Sequence, residues 1–262
     1  MSAVSVGAGT VSAQEAGPGS SPRAALHDLR VVSMNPVGVT VGTTYAKKDS
    51  SGTNSRAALH SLRVAPVEIR MAKSLIVPNH YLHSLPGGTQ LAFGVFLDSR
   101  LMGALTIGCG PSQAYRLVGG ARPDDCAVLT RLWLSDDLPT NSESRVIGVV
   151  SRALRRNTSL KFLLSYADPS VGHLGTIYQA AGWVYTGLSQ ATPLYDIGDG
   201  KVRHSRSLSH AYGSHSVKHF RRNGVDIKTL PQARKHRYIY FLDNSYRRHL
   251  NVPDLPYPKK GG

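Results

Sequence analysis

The stretch "YADPSVGHLGTIYQAAGWVYTG", residues 166–187, predicts three successive elements of the fold. It begins as the end of an apolar strand, becomes a short helix, and ends in a Gly-Trp-aromatic step that starts another strand. This order is typical of a helix that crosses over one face of a sheet. Asp168, His173 and Tyr178 lie within the stretch, so it can serve core packing, an active-site wall, or both.

The residues around this stretch continue the alternation of helices and strands. Two apolar runs joined at "DSR" (98–100) indicate a hairpin. The order predicts an α+β fold built on a mixed α/β sheet with helices on its faces. The other predicted elements are a helix from about residue 66 that stops at Pro78, a strand at 127–135, a helix at 140–157, and strands within 160–168 and 235–246.

Composition divides the chain of 262 residues into three predicted parts. Residues 1–60 are rich in Gly, Ser, Ala and Thr without a sustained period, which indicates a flexible leader. "RAALHDLRV" (23–31) returns as "RAALHSLRV" (56–64), and this single recurrence favours a local duplication over a helical repeat array. Residues 61–200 are predicted to form the catalytic core and residues 201–262 a basic extension.

The charge of the chain is concentrated in its last part. The formal net charge is +15, and residues 201–262 carry 14 Lys/Arg against 3 Asp/Glu. Such an imbalance favours a polyanion partner, most simply nucleic acid, although a solvated basic tail has the same composition. The predicted DNA-binding residues are Arg221, Arg222, Arg234, Lys235, Arg237, Arg247 and Arg248.

Several classes of protein are disfavoured. No run of about 18 apolar residues is present, so we expect no membrane-spanning segment. The first residues lack a basic and then apolar pattern, so we expect no secretory signal. Cys109 and Cys126 lack metal-site spacing and are expected to be free thiols of a cytosolic protein.

Two local features carry candidate chemistry. The helix entered through "TNSESR" (140–145) presents free backbone amides at its positive end, with Arg145 close by, which suits a phosphate or pyrophosphate. Asn141 or Ser142 can equally be an ordinary cap. Tyr178, on the next helix, can donate a proton to a leaving group, or it can be a half-buried aromatic with its hydroxyl in water.

Taken together, the elements of residues 66–190 resemble the Gcn5-related N-acetyltransferase (GNAT) core. The resemblance implies that the strand before the long helix diverges from its neighbour and that acyl-coenzyme A lies in the gap. Its pyrophosphate would rest on the helix N-terminus. This sequence departs from that pattern, because Asn-Ser-Glu-Ser-Arg replaces the usual glycine-rich stretch.

A narrower resemblance rests on "NHYLHS" (79–84), "LTRLWLSDDLPTNSESR" (129–145), "LLSYADPSVGHLGTIYQAAGW" (163–183) and "GDGKVRHS" (198–205). Their combination is similar to the phage Mom family of DNA-modification proteins. That resemblance implies carbamoylmethylation of the exocyclic amine of adenine in double-stranded DNA, protection from host restriction, and a place in the cytoplasm of the bacterial host. It also implies acetyl-coenzyme A and iron(II) as cofactors.

The resemblance assigns roles to individual residues. His80 and Tyr81 match a His-Tyr pair after the first helix, and such a pair can ligate a metal or position a base. Asp168 can join a ferrous site or accept a hydrogen bond from the adenine amine. Surface polarity and an ordinary loop opening remain alternatives. The assigned sets are His80, Tyr81, Asp168 and Tyr178 for catalysis, His80, Tyr81, His83 and Asp168 for the metal, and Arg131, Ser142, Ser144 and Arg145 for coenzyme A.

Two rival functions stay open from the sequence. One is an ordinary acetyltransferase that acts on a protein or a small-molecule amine. The other is a basic DNA-binding protein without enzymatic activity. The oligomeric state is also open, a homodimer included.

Overall fold

The structure is a computed structural model that describes residues 62–191, 193–231 and 234–259. Its large sheet contains β1 (Arg63–Val67), β2 (Thr89–Leu97), β3 (Arg100–Gly108), β4 (Cys126–Leu134), β5 (Phe162–Ala167), β6 (Val184–Leu188) and β10 (His236–Phe241). A small sheet contains β7 (Leu194–Asp196), β8 (Val202–His204) and β9 (Lys228–Leu230). The helices are α1 (Ile69–Asn79), α2 (Ser142–Asn157), α3 (Thr176–Ala180), α4 (Ser205–Tyr212) and α5 (Val217–Arg222).

The large sheet has the strand order β1-β2-β3-β4-β5-β10-β6. All its neighbouring pairs are antiparallel except β4 and β5, which are parallel. This arrangement confirms the predicted α+β fold with a mixed sheet. The predicted hairpin is β2–β3, and it turns at Asp98 and Ser99, whose φ angles of 47° and 67° suit a tight two-residue turn.

The parallel pair β4–β5 is short, and this shortness creates the opening of the fold. Only Cys126, Ala127 and Val128 pair with residues of β5, namely 162–164. From Leu129 to Leu134, β4 pairs with β3 on its other side. The two strands therefore part beyond Val128, as the GNAT resemblance implied.

Helix α2 crosses between β4 and β5 and packs its apolar face on the sheet. Val146, Ile147, Val150 and Leu154 are all at most 1% exposed and belong to the main core cluster. Their spacing of one, three and four residues places them on one side of the helix. Burial of four such side chains fixes α2, and hence its N-terminus, beside the opening.

The first elements differ from their predicted bounds. Residues 63–67 form β1 instead of the start of a helix. Pro66 is tolerated there because β1 is an edge strand, where a missing N–H costs little. Helix α1 begins at Ile69 and includes Pro78, which was predicted to stop it, in its last turn.

The structure also divides the chain differently from the predicted boundary at residue 200. Strand β10 pairs with β5 on one side and β6 on the other, so residues 236–241 belong to the core sheet. Between β6 and β10 lies an insertion, residues 189–235, which carries the small sheet, α4 and α5. It has a core cluster of its own, formed by Tyr195, Leu208, Phe220 and Ile227.

Two further predictions concern the leader and membrane-spanning segments. The predicted leader, residues 1–60, and the first copy of the recurring motif lie outside the described residues. In the described part of the chain, no helix has both the length and the apolar character needed to cross a membrane.

Candidate active site

A cavity of about 770 Å³ lies where β4 and β5 part. It is bounded by residues 128–133 of β4, residues 165–167 of β5, the exit of α1 at 79–82, and the β5–α3 loop and first turn of α3 at 172–178. Segments that are far apart in the sequence thus converge on one space. Its volume lies within the range typical of small-molecule and cofactor sites.

Tyr178 and Ser165 occupy the point at which the strands separate. The hydroxyl of Ser165 donates a hydrogen bond to the carbonyl of Leu129 at 3.1 Å, across the widening gap. Burial raises the pKa of Tyr178 to about 12, and a hydrogen bond with Ser165 opposes this rise. Tyr178 is therefore a protonated phenol at neutral pH, held in the cavity wall as a hydrogen-bond or proton donor.

His80 and Tyr81 form the opposite wall, at the exit of α1. Their rings are stacked with centroids 4.5 Å apart, and Nδ1 of His80 accepts a hydrogen bond from the backbone N–H of Leu82 at 3.1 Å. Burial and the neighbouring Arg131 lower the pKa of His80 to about 4, so the imidazole is neutral at pH 7. Because Nδ1 is an acceptor, we assign the proton to Nε2.

Asp168 follows β5 directly and is held by three hydrogen bonds. One carboxylate oxygen accepts from the backbone N–H of Ser170 at 3.0 Å and from its hydroxyl at 2.6 Å. The other oxygen lies 3.1 Å from Nζ of Lys235. Burial raises the pKa of this carboxyl, but the bonds from Ser170 and Lys235 together lower it below its usual value. Asp168 is therefore an ionised hydrogen-bond acceptor.

Arg131, predicted to bind coenzyme A, lines the cavity from β4. Its Nε donates to the carbonyl of Ser84 at 3.0 Å, and its Nη1 donates to the carbonyl of Thr130 at 2.7 Å. The guanidinium thus ties the segment after α1 to β4. The two hydrogen bonds of Arg131 help to hold the His80–Tyr81 wall beside the diverging strands.

The other residues predicted for coenzyme A lie at the first turn of α2 and are not among the cavity-lining residues. The hydroxyls of Ser142 and Ser144 donate to the carbonyls of Pro139 and Asn141, at 2.6 and 3.0 Å. Asn141 holds the N-cap position in a left-handed conformation, without a side-chain capping bond. Nε of Arg145 is buried with no hydrogen-bond partner among the described residues, which suits an anionic group at this helix end.

The predicted iron ligands do not fit a metal ion. His83 is not a cavity-lining residue, and its Nδ1 lies 3.0 Å from the carbonyl of Val77. Nδ1 of His80 accepts from the N–H of Leu82, and one oxygen of Asp168 already accepts two hydrogen bonds from Ser170. Across the described ranges, no group of three or more His, Cys, Asp and Glu residues is arranged to hold a metal.

The predicted DNA-binding residues belong to three parts of the chain, namely α5, the segment that leads into and begins β10, and a 3₁₀ turn after β10. Arg221 and Arg222 are exposed on α5 of the insertion. Arg247 lies in a 3₁₀ turn, Asn244–His249, and pairs with Asp254 at 3.0 Å. Arg248, in the same turn, donates to the ring of His249.

Three members of that set lie close to the core sheet. Nε of Arg234 donates to the carbonyl of Ser189 at 2.7 Å. Arg237 is half-buried, and its guanidinium donates to the hydroxyl and carbonyl of Thr186 at 2.8 and 3.0 Å. Lys235 contacts Asp168 and lines the cavity.

Sequence reasoning missed the placement of Lys235 and His173 in the cavity wall. Lys235 directly precedes β10, and the pairing of His236 with Ala167 places it opposite Asp168. Only the order of strands in the sheet reveals this neighbour. The sequence predicts no role for His173, since a histidine in a loop carries no periodic signal.

Comparison with known proteins adds to this geometry. The model of the Mom protein family matches residues 61–259. The methylcarbamoylase mom of Escherichia phage Mu is 29% identical over 201 residues, which cover 72% of this chain and 80% of that protein.

Solved structures similar to this chain include several acetyltransferases. An N-acetyltransferase from Staphylococcus aureus Mu50 has a TM-score of 0.38 at 12% identity, over 69% of this chain and 97% of that one. A GNAT family N-acetyltransferase from Escherichia coli, solved with CoA, has a TM-score of 0.38 at 11% identity, over 73% of this chain and 85% of that one. With the family model matching most of its length, the chain belongs to the Mom protein family.

Proposed function

We propose that this chain is a transferase that attaches a carbamoylmethyl group to the exocyclic amine of adenine in double-stranded DNA, with acyl-coenzyme A as the carbon donor. Membership of the Mom family and the likeness to a methylcarbamoylase support this proposal. The observation that carries it is the convergence of Tyr178 and the His80–Tyr81 pair on one cavity between diverging strands. Asp168 lies beside this cavity, directly after the lining residue Ala167 and paired with the lining residue Lys235. In a phage, the modified DNA would resist host restriction.

The substrate must leave the duplex to react. The exocyclic amine of adenine is paired inside a stacked helix, and a cavity enclosed on several sides cannot be reached by a base that stays there. Extrusion costs a few kcal/mol, which phosphate contacts by basic side chains can offset. The exposed Arg221 and Arg222 of the insertion are suited to such contacts.

Asp168 is the group best suited to hold the amine. Bonding of the adenine amine to a methyl carbon removes a hydrogen and two electrons from that carbon, so the reaction also takes an oxidant and a nitrogen donor for the terminal amide. An ionised carboxylate that accepts an N–H of the adenine amine orients its nitrogen for this bond. The lowered pKa of Asp168 makes it a constant acceptor at neutral pH.

Tyr178 and His80 supply donors on the other sides of the cavity. Tyr178 keeps its proton at neutral pH because its pKa is about 12, so it can donate to a departing thiolate. His80 is neutral, and Nε2–H is its remaining donor once Nδ1 has accepted the bond from Leu82. The acceptor directly follows β5, whereas the donors belong to α3 and to the exit of α1.

Acyl-coenzyme A fits the open edge of β4. Beyond Val128 this edge is not paired with β5, so its backbone groups face the cavity, and the unpartnered Nε of Arg145 can hold a phosphate at the N-terminus of α2. When bound there, acyl-coenzyme A supplies the carbon unit that is transferred. Since the predicted iron ligands do not form a site, we assign no step to a metal.

The experiment that tests this function is a nucleoside analysis of DNA. The chain is expressed in bacteria that carry a plasmid, and the plasmid is digested and analysed by mass spectrometry. We expect an adenine nucleoside heavier by one carbamoylmethyl group, and none with Asp168→Asn, in which the ionised acceptor is lost. Detection of acetylated adenine would show that the reaction is simple acyl transfer and not carbamoylmethylation. Unmodified DNA from soluble wild-type protein would contradict a DNA-modifying function.

A further inference from the structure

His173 stands across the cavity from Tyr81. The two rings are perpendicular, at 88°, with centroids 5.1 Å apart, and both residues line the cavity. They belong to different walls, since Tyr81 follows α1 and His173 lies in the loop between β5 and α3. Both side chains are exposed, so the pair marks the rim of the cavity rather than its floor.

Tyr81 is the fixed member of this pair. Its ring rests on His80 at an interplanar angle of 26°, and His80 is held by the N–H of Leu82. The segment is held again at Ser84, whose carbonyl accepts from Arg131. These contacts fix the plane of the tyrosine ring.

His173 has a fixed backbone and a free ring. Its N–H donates to the carbonyl of Asp168 at 3.1 Å. The carbonyl of the next residue, Leu174, accepts from Nε2 of Gln179 at 3.2 Å and also from the hydroxyl of Tyr238. In the described part of the chain, the His173 ring forms no hydrogen bond, and its aromatic contact is with the Tyr81 ring. The imidazole can therefore turn without breaking a hydrogen bond that holds the loop.

We infer that Tyr81 and His173 form a slot that holds the extruded nucleobase between their rings. This inference rests on the proposed function and names the contact by which its substrate is held. A base stacked between two rings needs about 7 Å between them, since each stack requires roughly 3.5 Å. The present 5.1 Å, edge to face, is a closed slot. It opens when the His173 side chain rotates so that its ring becomes parallel to that of Tyr81 and its centroid moves roughly 2 Å further away.

The position of Asp168 agrees with such a slot. His173 and Asp168 lie on one loop and are joined by a backbone hydrogen bond. The Asp168 charge also raises the pKa of Tyr81, after the larger effect of burial, so the carboxylate lies within electrostatic reach of that ring. A purine held in the slot would present its edge, and hence its exocyclic amine, toward this acceptor.

The test compares substitutions at one position. His173→Ala removes the ring, and His173→Phe retains a planar ring without the nitrogen atoms. Val171→Ala is the matched control, because Val171 is exposed in the same loop and is not a cavity-lining residue. Loss of one base–aromatic stack is expected to weaken the hold on an extruded base roughly ten- to a hundredfold.

The probe is a short duplex in which one adenine faces an abasic site, compared with the fully paired duplex of the same sequence. Because an unpaired base is cheaper to extrude, wild type and Val171→Ala should bind the first duplex more tightly, and His173→Phe should retain this preference. His173→Ala should bind both duplexes alike, with unchanged affinity for the paired one. A preference that persists in His173→Ala, or that is absent from the wild type, would overturn the slot.

Nucleoside analysis separates this outcome from failure of the proposed function. If wild type modifies adenine and His173→Ala modifies it equally fast, the slot is wrong and the function stands. If wild type modifies no adenine and binds neither duplex, the proposed function fails, and the slot fails with it because it has no base to hold.

Discussion

The cavity of the core sheet and the insertion between β6 and β10 use charge in opposite ways. At the cavity, the lining residue Lys235 is paired with Asp168, and His80 is kept neutral by burial and neighbouring positive charge. On α5 of the insertion, Arg221 and Arg222 are exposed at the surface. The cavity fixes the protonation state of each group, whereas the insertion displays charge that salt can screen. We infer that chemistry belongs to the first region and attraction of the polyanion to the second.

The largest expected effect comes from removing one donor in the cavity. Tyr178→Phe should lower the rate of adenine modification about 10²- to 10⁴-fold, because a positioned proton donor is lost. The free energy of unfolding should change by only about 1 kcal/mol, since the ring remains packed and Ser165 keeps its bond to Leu129. The amount of modified adenine over time and a denaturant melt of the same protein measure the two quantities. A near-normal rate would remove Tyr178 from the mechanism.

The residues of the candidate site differ in how well the sequence predicts them. Asp168 and Tyr178 follow from one continuous stretch, because a strand, a loop and a helix next to each other in sequence are also neighbours in space. Lys235 is far from Asp168 in sequence and meets it only because β10 inserts between β5 and β6. Strand order within a sheet is a long-range property that periodicity does not report. His173 lacks a signal of either kind.

The same limit explains what was predicted of the fold. The β2–β3 hairpin and α2 were predicted because a turn signal and an apolar stripe are local. The small sheet was not, since β7, β8 and β9 have three residues each and cannot show an alternating pattern. Pro78 was predicted to stop α1, but the helix continues to Asn79 because its last turn tolerates a proline. Prediction therefore failed where long-range packing or a helix end decides the structure.

A smaller effect is expected from separating Asp168 from its cation. Lys235 lowers the pKa of Asp168, so Lys235→Met should raise it. Activity requires the ionised carboxylate and falls as the pH drops through this pKa, so the acid limb of the pH–rate profile should move to higher pH. The part of the folding stability that depends on ionised Asp168 should likewise be lost at a higher pH than in the wild type.

The pH profile distinguishes this role from a direct contact between Lys235 and DNA. A phosphate contact would change the apparent affinity for DNA and its salt dependence, and it would leave the acid limb in place. Lys235→Arg keeps the positive charge and should restore most of the wild-type profile. An acid limb that does not move in Lys235→Met would show that Lys235 does not set the ionisation of Asp168.

Substitutions in the insertion are expected to change the rate of adenine modification least and the affinity for DNA most clearly. The double substitution Arg221→Ala and Arg222→Ala should leave the cavity unchanged, because α5 packs on the insertion's own cluster through Phe220. If both arginines contact phosphates, the slope of log affinity against log salt should fall by roughly 2, since each contact contributes about 0.9. Arg247→Ala is the control, as its charge is already paired with Asp254 and should change the slope less. Titration of duplex DNA at several salt concentrations measures the slope. An unchanged slope in the double variant would show that α5 is not part of the DNA-binding surface. It would also contradict the division of roles between the two regions.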